Sequence, residues 1–268
     1  MSMKLLFVHA HPDDESILTG GTIALHTSRG DEVLVVTCTL GEEGEVIGST
    51  WAGLVAGAAD QLGGYRISEL SKALAALGVS EPRFLGGAGR WRDSGMAGTP
   101  SAEHPRAFIN AERPEVVSEL VRVINEFRPD VVVGYDPDGG YGHPDHIQVH
   151  AVTTAAVEAA TWRVSRFYWA VASRDAVDAG VAAMGELPDG WKMPRPGELA
   201  AMDSKLITTE VDITPVLDAK RAALAAHATQ VMVTDGMFAL SNNVAQPILT
   251  SEFFVLVSGS ADGVESEL

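Results

Sequence analysis

The 268-residue sequence predicts an α/β protein: a mostly parallel open sheet flanked by helices, with a smaller α+β carboxy-terminal lobe. Three observations predict it. Two short, continuous, Val- and Leu-rich runs, at 5–8 and 32–39, have the length and composition of strands buried on both faces. The segment between them, 16–29, reads as helix and stops at Gly30, which makes a strand–helix–strand unit. The same grammar returns at 115–135, where Val116, Val117, Leu120, Val121, Val123 and Ile124 form a helical stripe. Arg128-Pro129 closes that stripe before Val131-Val132-Val133.

The remaining elements follow in order. The first strand runs into His11-Pro12-Asp13-Asp14 and the second into Leu40-Gly41-Glu42-Glu43-Gly44. Between 51 and 77 the spacing of Ala, Leu and Ile suits helices broken at Gly63-Gly64, and Pro82-Arg83-Phe84-Leu85 supplies a short strand. Residues 86–101, rich in Gly and charge, read as loop. The third confident strand ends at Tyr135-Asp136-Pro137. Pro144 suits the first turn of a helix running through Ala160, since proline there loses no needed donor, and His146 then sits near that helix's amino end. Farther on, strands are expected at 167–169, 207–213 and 253–257, an Ala-rich helix at 218–230 and an irregular stretch at 188–197. No internal repeat or low-complexity linker interrupts the chain. Residues 1–165 are expected to form a Rossmann-like domain, and residues 166–268 a lobe that completes the sheet and the pocket.

Composition narrows the partners. Lys and Arg total 19 against 36 Asp and Glu, a formal charge of -17, which opposes capture of nucleic-acid phosphates or anionic lipid. A neutral or cationic small molecule is expected instead. The single cysteine, Cys38, lies in the second apolar run and reads as a small buried hydrophobe. The amino terminus reaches His9-Ala10-His11 too soon for a signal peptide, and no run is long enough to span a bilayer, so a cytoplasmic protein is expected. Oligomeric state leaves no mark on the sequence.

In open parallel sheets the strand carboxyl ends face one crevice, so the loops after the three confident strands should converge there. They carry His11, Asp13 and Asp14; Glu42, Glu43 and Glu45; and Asp136, Asp138, Tyr141, His143, Asp145 and His146. Two imidazoles and one carboxylate around a divalent ion leave room for water and substrate, the arrangement of catalytic zinc. Such an ion lowers the pKa of water from about 15.7 to about 7, which implies hydrolysis. Adjacent aspartates on an extended loop point apart, so one can ligate while the other acts as base. Alone, the first loop reads sooner as a turn with an aspartate helix cap, and the second is also open to a capped helix start; together, at strand ends, they favour metal. His9 reads as a core histidine beside the site, and His26, His104, His150 and His227 as structural or surface. Arg90-Trp91-Arg92-Asp93 suits both a plain surface loop and a site for a hydroxyl-rich ligand. Gly86-Gly87-Ala88-Gly89 lacks the Lys-Ser or Lys-Thr of a phosphate cradle, and the first loop offers carboxylates where a dinucleotide needs glycine amides.

Ala10-His11-Pro12-Asp13-Asp14-Glu15 after an initial strand, with Gly142-His143-Pro144-Asp145-His146 downstream, resembles the LmbE-like, or PIG-L, family of zinc-dependent N-deacetylases. The match extends through 39–45, 61–66, 90–96 and 225–230 and is weakest over 161–206. By motif position the resemblance implies His11, Asp14 and His146 as ligands of one Zn2+ per chain, with Fe2+ or another divalent metal as alternatives. It implies Asp13 as general base and His143 as an imidazolium stabilising the oxyanion and protonating the leaving amine. Asp145 would orient an imidazole, and Tyr141, on a glycine-flanked loop, would polarise the amide carbonyl. Arg66, Asp93, Glu45 and Met96 would bind substrate. The implied activity is hydrolysis of the acetamide of an N-acetylglucosamine unit, that of N-acetylglucosaminyl-inositol in mycothiol biosynthesis. The competing readings are a mycothiol S-conjugate amidase, a natural-product deacetylase and a noncatalytic sugar-binding module.

Overall fold

The computed structural model describes residues 2–260 and 266–268. The chain opens with β1 (Lys4–His9), α1 (Asp14–Leu18), α2 (Gly20–Ser28) and β2 (Glu32–Thr37), then α3 (Leu62–Ala76) and β3 (Arg83–Phe84). It continues with α4 (Arg113–Phe127), β4 (Val131–Tyr135), a single kinked turn α5 (Gly139–Gly142), α6 (Pro144–Ala159) and β5 (Arg166–Val171). Next come α7 (Arg174–Ala183), β6 (Thr209–Asp212), α8 (Leu217–Ala226), β7 (Met232–Thr234), β8 (Met237–Ala239), β9 (Ala245–Pro247) and β10 (Ser251–Ser258). Among the described residues the main sheet has seven strands in the order β3-β2-β1-β4-β5-β10-β6, and β7-β8-β9 form a second, three-stranded sheet. β3 through β5 pair in parallel, whereas β10 runs antiparallel to both its neighbours. Strands β5, β10 and β6 thus extend the amino-terminal sheet, as the α/β reading requires.

Alternation along each central strand divides the core into two layers. Leu5, Phe7, Val131 and Val133 face Ile23, Leu70, Leu74 and Ala223 on α2, α3 and α8. Leu6, Val8 and Val132 face Val116, Leu120, Val149 and Val152 on α4 and α6. From β1 the chain builds outward through β2 and β3 and then crosses to β4 on the other side of β1. The loops leaving β1 and β4 therefore part in opposite directions and open a crevice at the strand carboxyl ends.

Several elements depart from sequence expectation for identifiable reasons. The expected helix at 16–29 is two helices hinged at Thr19 (φ -135°). The break gives α2 its own amino end, whose Gly21 and Thr22 N–H groups donate to the Glu252 carboxylate at 2.8 and 2.8 Å. Gly63-Gly64 does not break a helix: α3 runs through both. A Cβ at position 63 would stand 2.7 Å from Glu42 Cγ, so Gly63 serves the close approach of α3 to the loop after β2. α8 stops at Ala226, four residues short of the expected 230, because His227 turns inward. The helix at Arg174–Ala183 and the small sheet had no counterpart in the sequence reading. Among the described residues no helix is long and apolar enough to cross a membrane.

Candidate metal centre

Four loops meet at the crevice. The β1 loop delivers His11, Asp13 and Asp14, and the β4 loop delivers His143, Asp145 and His146 at the start of α6. The loops after β2 and β3 close one side. His11 Nδ1 lies 3.4 Å from Asp14 Oδ2 and 3.3 Å from His146 Nε2, and His146 Nε2 lies 3.3 Å from Asp14 Oδ1. Donors about 2.0–2.2 Å from a tetrahedral ion stand about 3.3–3.5 Å apart, so the two ring nitrogens and the Asp14 carboxylate, one oxygen of which faces each ring, are spaced for such a site with its fourth corner open.

Each donor is aimed by a partner. His11 Nε2 faces the Asp145 carboxylate at 3.2 Å, which leaves Nδ1 for the ion. His146 Nδ1 donates to the Gly139 carbonyl at 3.1 Å, which frees Nε2. Tyr135 donates its hydroxyl to Asp14 at 2.7 Å, accepts the Ala10 N–H at 3.0 Å, and stacks on His146 with ring centroids 4.3 Å apart. Gly139 (φ 61°) must be glycine, because a Cβ would meet His146 Cβ at 2.7 Å. Burial opposes a charge on His11, but Asp93, Asp14 and Asp145 outweigh it and raise its pKa well above the ordinary range. Burial opposes the Asp14 charge likewise, and His146 with His11 holds it well below the usual carboxylate value. The cluster is therefore an ionised carboxylate beside a proton-bearing imidazole, and a metal ion exchanges for that proton.

Asp13 stands apart from the three donors. Its backbone takes φ 124°, a conformation rare for an L residue, which turns its carboxylate toward Arg66 Nη2 at 3.0 Å. Burial raises its pKa to about 6 against the lowering effect of Arg66, with Asp14 adding to the rise, so it is mostly ionised at neutral pH. His143 caps α6, its Nδ1 accepting the Asp145 N–H at 3.2 Å, and its ring centroid is 4.6 Å from that of His11. The surroundings of His143 disfavour the imidazolium expected of it. Burial, then His11 and His146, push its pKa down to about 4, and Nδ1 is occupied as an acceptor, so the ring is neutral with its proton on Nε2. Tyr141 is 59% exposed and stands over His146 with ring centroids 5.1 Å apart.

The four expected substrate contacts divide. Met96, 46% exposed, and the exposed Glu45 lie on the open side of their loops, Glu45 accepting from Ser241 Oγ at 2.8 Å. Arg66 is 2% exposed, and its guanidinium is engaged by the Pro12 carbonyl, the Gly41 carbonyl at 2.8 Å and Asp13. It braces the first loop instead of projecting toward a ligand. Asp93 is also buried, accepting from the Gly95 and Glu43 N–H groups at 2.8 and 3.3 Å, with one oxygen 3.5 Å from His11 Nε2. Trp91, taken together with its neighbours as a surface loop or ligand site, packs into the core against Phe108.

Sequence reasoning missed Tyr135, Glu15, Ser94 and His227. Tyr135 carries a visible signal, the last residue of a central strand, whereas Ser94 acts only through its N–H, which donates to Asp145 at 3.0 Å. His227, read as structural or surface, is structural: it is fully buried against Glu15 at 2.7 Å. Tyr135→Phe should leave the Ala10 N–H unpaired and Asp14 held only by the His11 backbone N–H, at 2.9 Å. Metal affinity is expected to fall about 10–100-fold and stability by about 1–3 kcal/mol, measured by competitive metal titration and denaturant unfolding.

An ion held by three protein donors keeps a place for water, and the class so defined is that of metal-dependent hydrolases. The chain belongs to the PIG-L family, described as GlcNAc-PI de-N-acetylase, whose pattern matches residues 6–157. It is 59% identical, over 99% of its length and 96% of the relative's, to the 1D-myo-inositol 2-acetamido-2-deoxy-alpha-D-glucopyranoside deacetylase of Rhodococcus erythropolis strain PR4. Among solved structures it resembles N,N'-diacetylchitobiose deacetylase from Pyrococcus horikoshii, with a TM-score of 0.56 and 20% identity, covering 85% of this chain and 70% of that one. It also resembles the 4-carboxy-2-hydroxymuconate hydratase GalB of Pseudomonas putida, with a TM-score of 0.58 and 19% identity over 97% and 98%. The second likeness shows that this fold serves more than one reaction, so the site carries the functional argument.

Proposed function

We propose that the chain hydrolyses the acetamide of N-acetylglucosaminyl-inositol, releasing acetate and glucosaminyl-inositol, as a step of mycothiol biosynthesis. The reading is carried by one observation above others: a half-buried, ionised Asp13 stands beside three donors spaced for one ion, in a chain 59% identical along nearly its whole length to a relative of that name. We assign His11, Asp14 and His146 to one Zn2+, a set that also accepts Fe2+. When bound, the metal supplies Lewis acidity toward the acetamide carbonyl and acidifies a water.

The protein's own groups divide the remaining work. Asp13 takes the proton from the attacking water as the new C–O bond forms. His143, through its Nε2–H, and Tyr141, through its hydroxyl, donate to the carbonyl oxygen as it gains charge. Desolvation and then the Asp14 carboxylate push the Tyr141 phenol pKa up, which keeps it a donor at neutral pH. Because His143 is neutral, the proton that reaches the leaving nitrogen is the one Asp13 removed from water, and the C–N bond breaks as it arrives. Glu45 and Met96 meet the sugar and inositol, while Arg66 and Asp93 act from beneath, on Asp13 and His11. Residues 1–165 carry the chemistry, and 166–268 complete the far wall.

The test is acetate release from N-acetylglucosaminyl-inositol, assayed beside a mycothiol S-conjugate and other N-acetylglucosamine glycosides. Turnover is expected to stop with a chelator and to return with added Zn2+. Preferential cleavage of the S-conjugate would overturn the substrate, and no acetate from any acetamide by metal-loaded protein would point to a sugar-binding module.

A further inference from the structure

Asp13 stands on backbone that an L residue rarely adopts, at φ 124°. Such a conformation is strained and persists only where its surroundings enforce it. Its carbonyl accepts the Ser16 and Ile17 N–H groups at 3.0 and 3.0 Å, which begins α1. Its own N–H donates to Glu15 Oε2 at 3.0 Å. Glu15 is fully buried, and its other oxygen is fixed by Ser16 Oγ at 2.6 Å and by His227 Nε2 at 2.7 Å. His227 comes from 212 positions along the chain. It reaches Glu15 only because α8 ends at Ala226 and the backbone leaves the helical region at φ -86°, ψ 51°. That departure is pinned from behind, where Thr229 donates through its N–H and hydroxyl to the buried Glu69 at 2.8 and 2.7 Å.

We propose that His227 is a positioning residue for the deacetylation: it clamps Glu15, and Glu15 holds the Asp13 N–H so that the strained backbone presents the Asp13 carboxylate beside the metal centre. The inference rests on the reading of Asp13 as the base. It also gives the carboxy-terminal lobe a task in the chemistry, since the clamp on the first loop is supplied from across the molecule. Of the described residues, His227 hydrogen-bonds to none of His11, Asp14 or His146; its ring partner is Glu15.

His227→Ala removes the donor, whereas His227→Gln keeps an N–H of similar reach. The alanine substitution is expected to lower kcat for acetate release about 10–100-fold, the usual cost of losing a group that orients a site. KM and bound metal should be unchanged, and the glutamine substitution should restore most of the rate. In an Asp13→Ala background His227→Ala should cost nothing further, because its effect passes through Asp13. Hydrogen exchange at the Asp13 amide of metal-free protein should quicken in His227→Ala and stay slow in His227→Gln. His227→Asn, which refills part of the space but falls short of Glu15, carries the same expectation if the alanine variant does not fold. A wild-type kcat, an unchanged Asp13 exchange rate, a loss undiminished in the Asp13→Ala background, or metal lost in step with rate would each overturn the assignment. The exchange measurement needs no turnover, so a wild-type protein inert to every acetamide would overturn the deacetylase reading and leave the positioning of Asp13 separately decided.

Discussion

Asp13→Ala lowers acetate release by roughly 10²–10⁴-fold, the range over which a positioned general base acts, while metal content stays that of the wild type. The separation of the two effects follows from geometry. His11, Asp14 and His146 are 3.3–3.4 Å from one another at their donor atoms, and the Asp13 carboxylate faces Arg66 instead. Removing it leaves the three donors intact. It also leaves a buried guanidinium short of a counter-charge, so Asp13→Asn is the better-matched control: it keeps the shape and an acceptor for Arg66 yet cannot take a proton at neutral pH. The wild-type enzyme should lose activity as pH falls, because the base must be ionised and burial has raised its pKa to about 6. A neighbouring divalent cation lowers that value, so the acid limb lies at or below about pH 6 and is absent from both variants. Parallel measurement of kcat against pH and of metal per chain checks the prediction. Near-normal turnover in Asp13→Ala would remove Asp13 as the base.

His146→Ala has the other large effect, and it acts on the ion. His146 supplies one of three donors, is aimed by the Gly139 carbonyl, and fills the space over Tyr135. Its loss leaves two donors and a void. Affinity should fall by more than the about 10–100-fold that loss of an orienting partner costs. After dialysis the variant should hold far less than one ion per chain, and activity should recover only in excess metal. Thermal unfolding separates this from general collapse: in metal-free protein the midpoint should drop modestly, whereas stabilisation by added metal, strong in wild type, should be nearly lost. Metal binding to the wild type should also release a proton at neutral pH. His11, whose pKa the surrounding carboxylates raise well above its ordinary value, must give up the Nδ1 proton to ligate. Calorimetry in buffers of differing ionisation enthalpy reads that proton, and affinity should rise with pH through this range. Full metal occupancy of dialysed His146→Ala would contradict the ligand assignment.

The two histidine loops were legible because each lies at the end of a buried strand that its own composition declares. Val131–Tyr135, and the runs that became Lys4–His9 and Glu32–Thr37, are apolar on both faces, and a strand with both faces apolar must be central to a covered sheet. α4 was legible from its stripe, and α6 from Pro144 at its first turn. Elements whose existence depends on distant contacts were not. Thr19 breaks a helix because Glu252 receives the N–H groups of the next one, and Gly63 sits within a helix where a Cβ would collide with Glu42 and Leu40. The three strands of the small sheet, three residues each, are too short to announce themselves by alternation.

By itself the sequence determined the sheet's central strands, the crevice at their carboxyl ends and the residue types that converge there, because burial periodicity and strand-end position are local properties of the chain. Only the tertiary structure decided which groups act on which. It set the neutral state of His143, turned Arg66 inward to brace Asp13, and brought Tyr135 onto Asp14 and His227 onto Glu15. A protonation state and a hydrogen-bond partner depend on distances and desolvation between residues more than fifty positions apart, and those exist only once the sheet has brought the loops together.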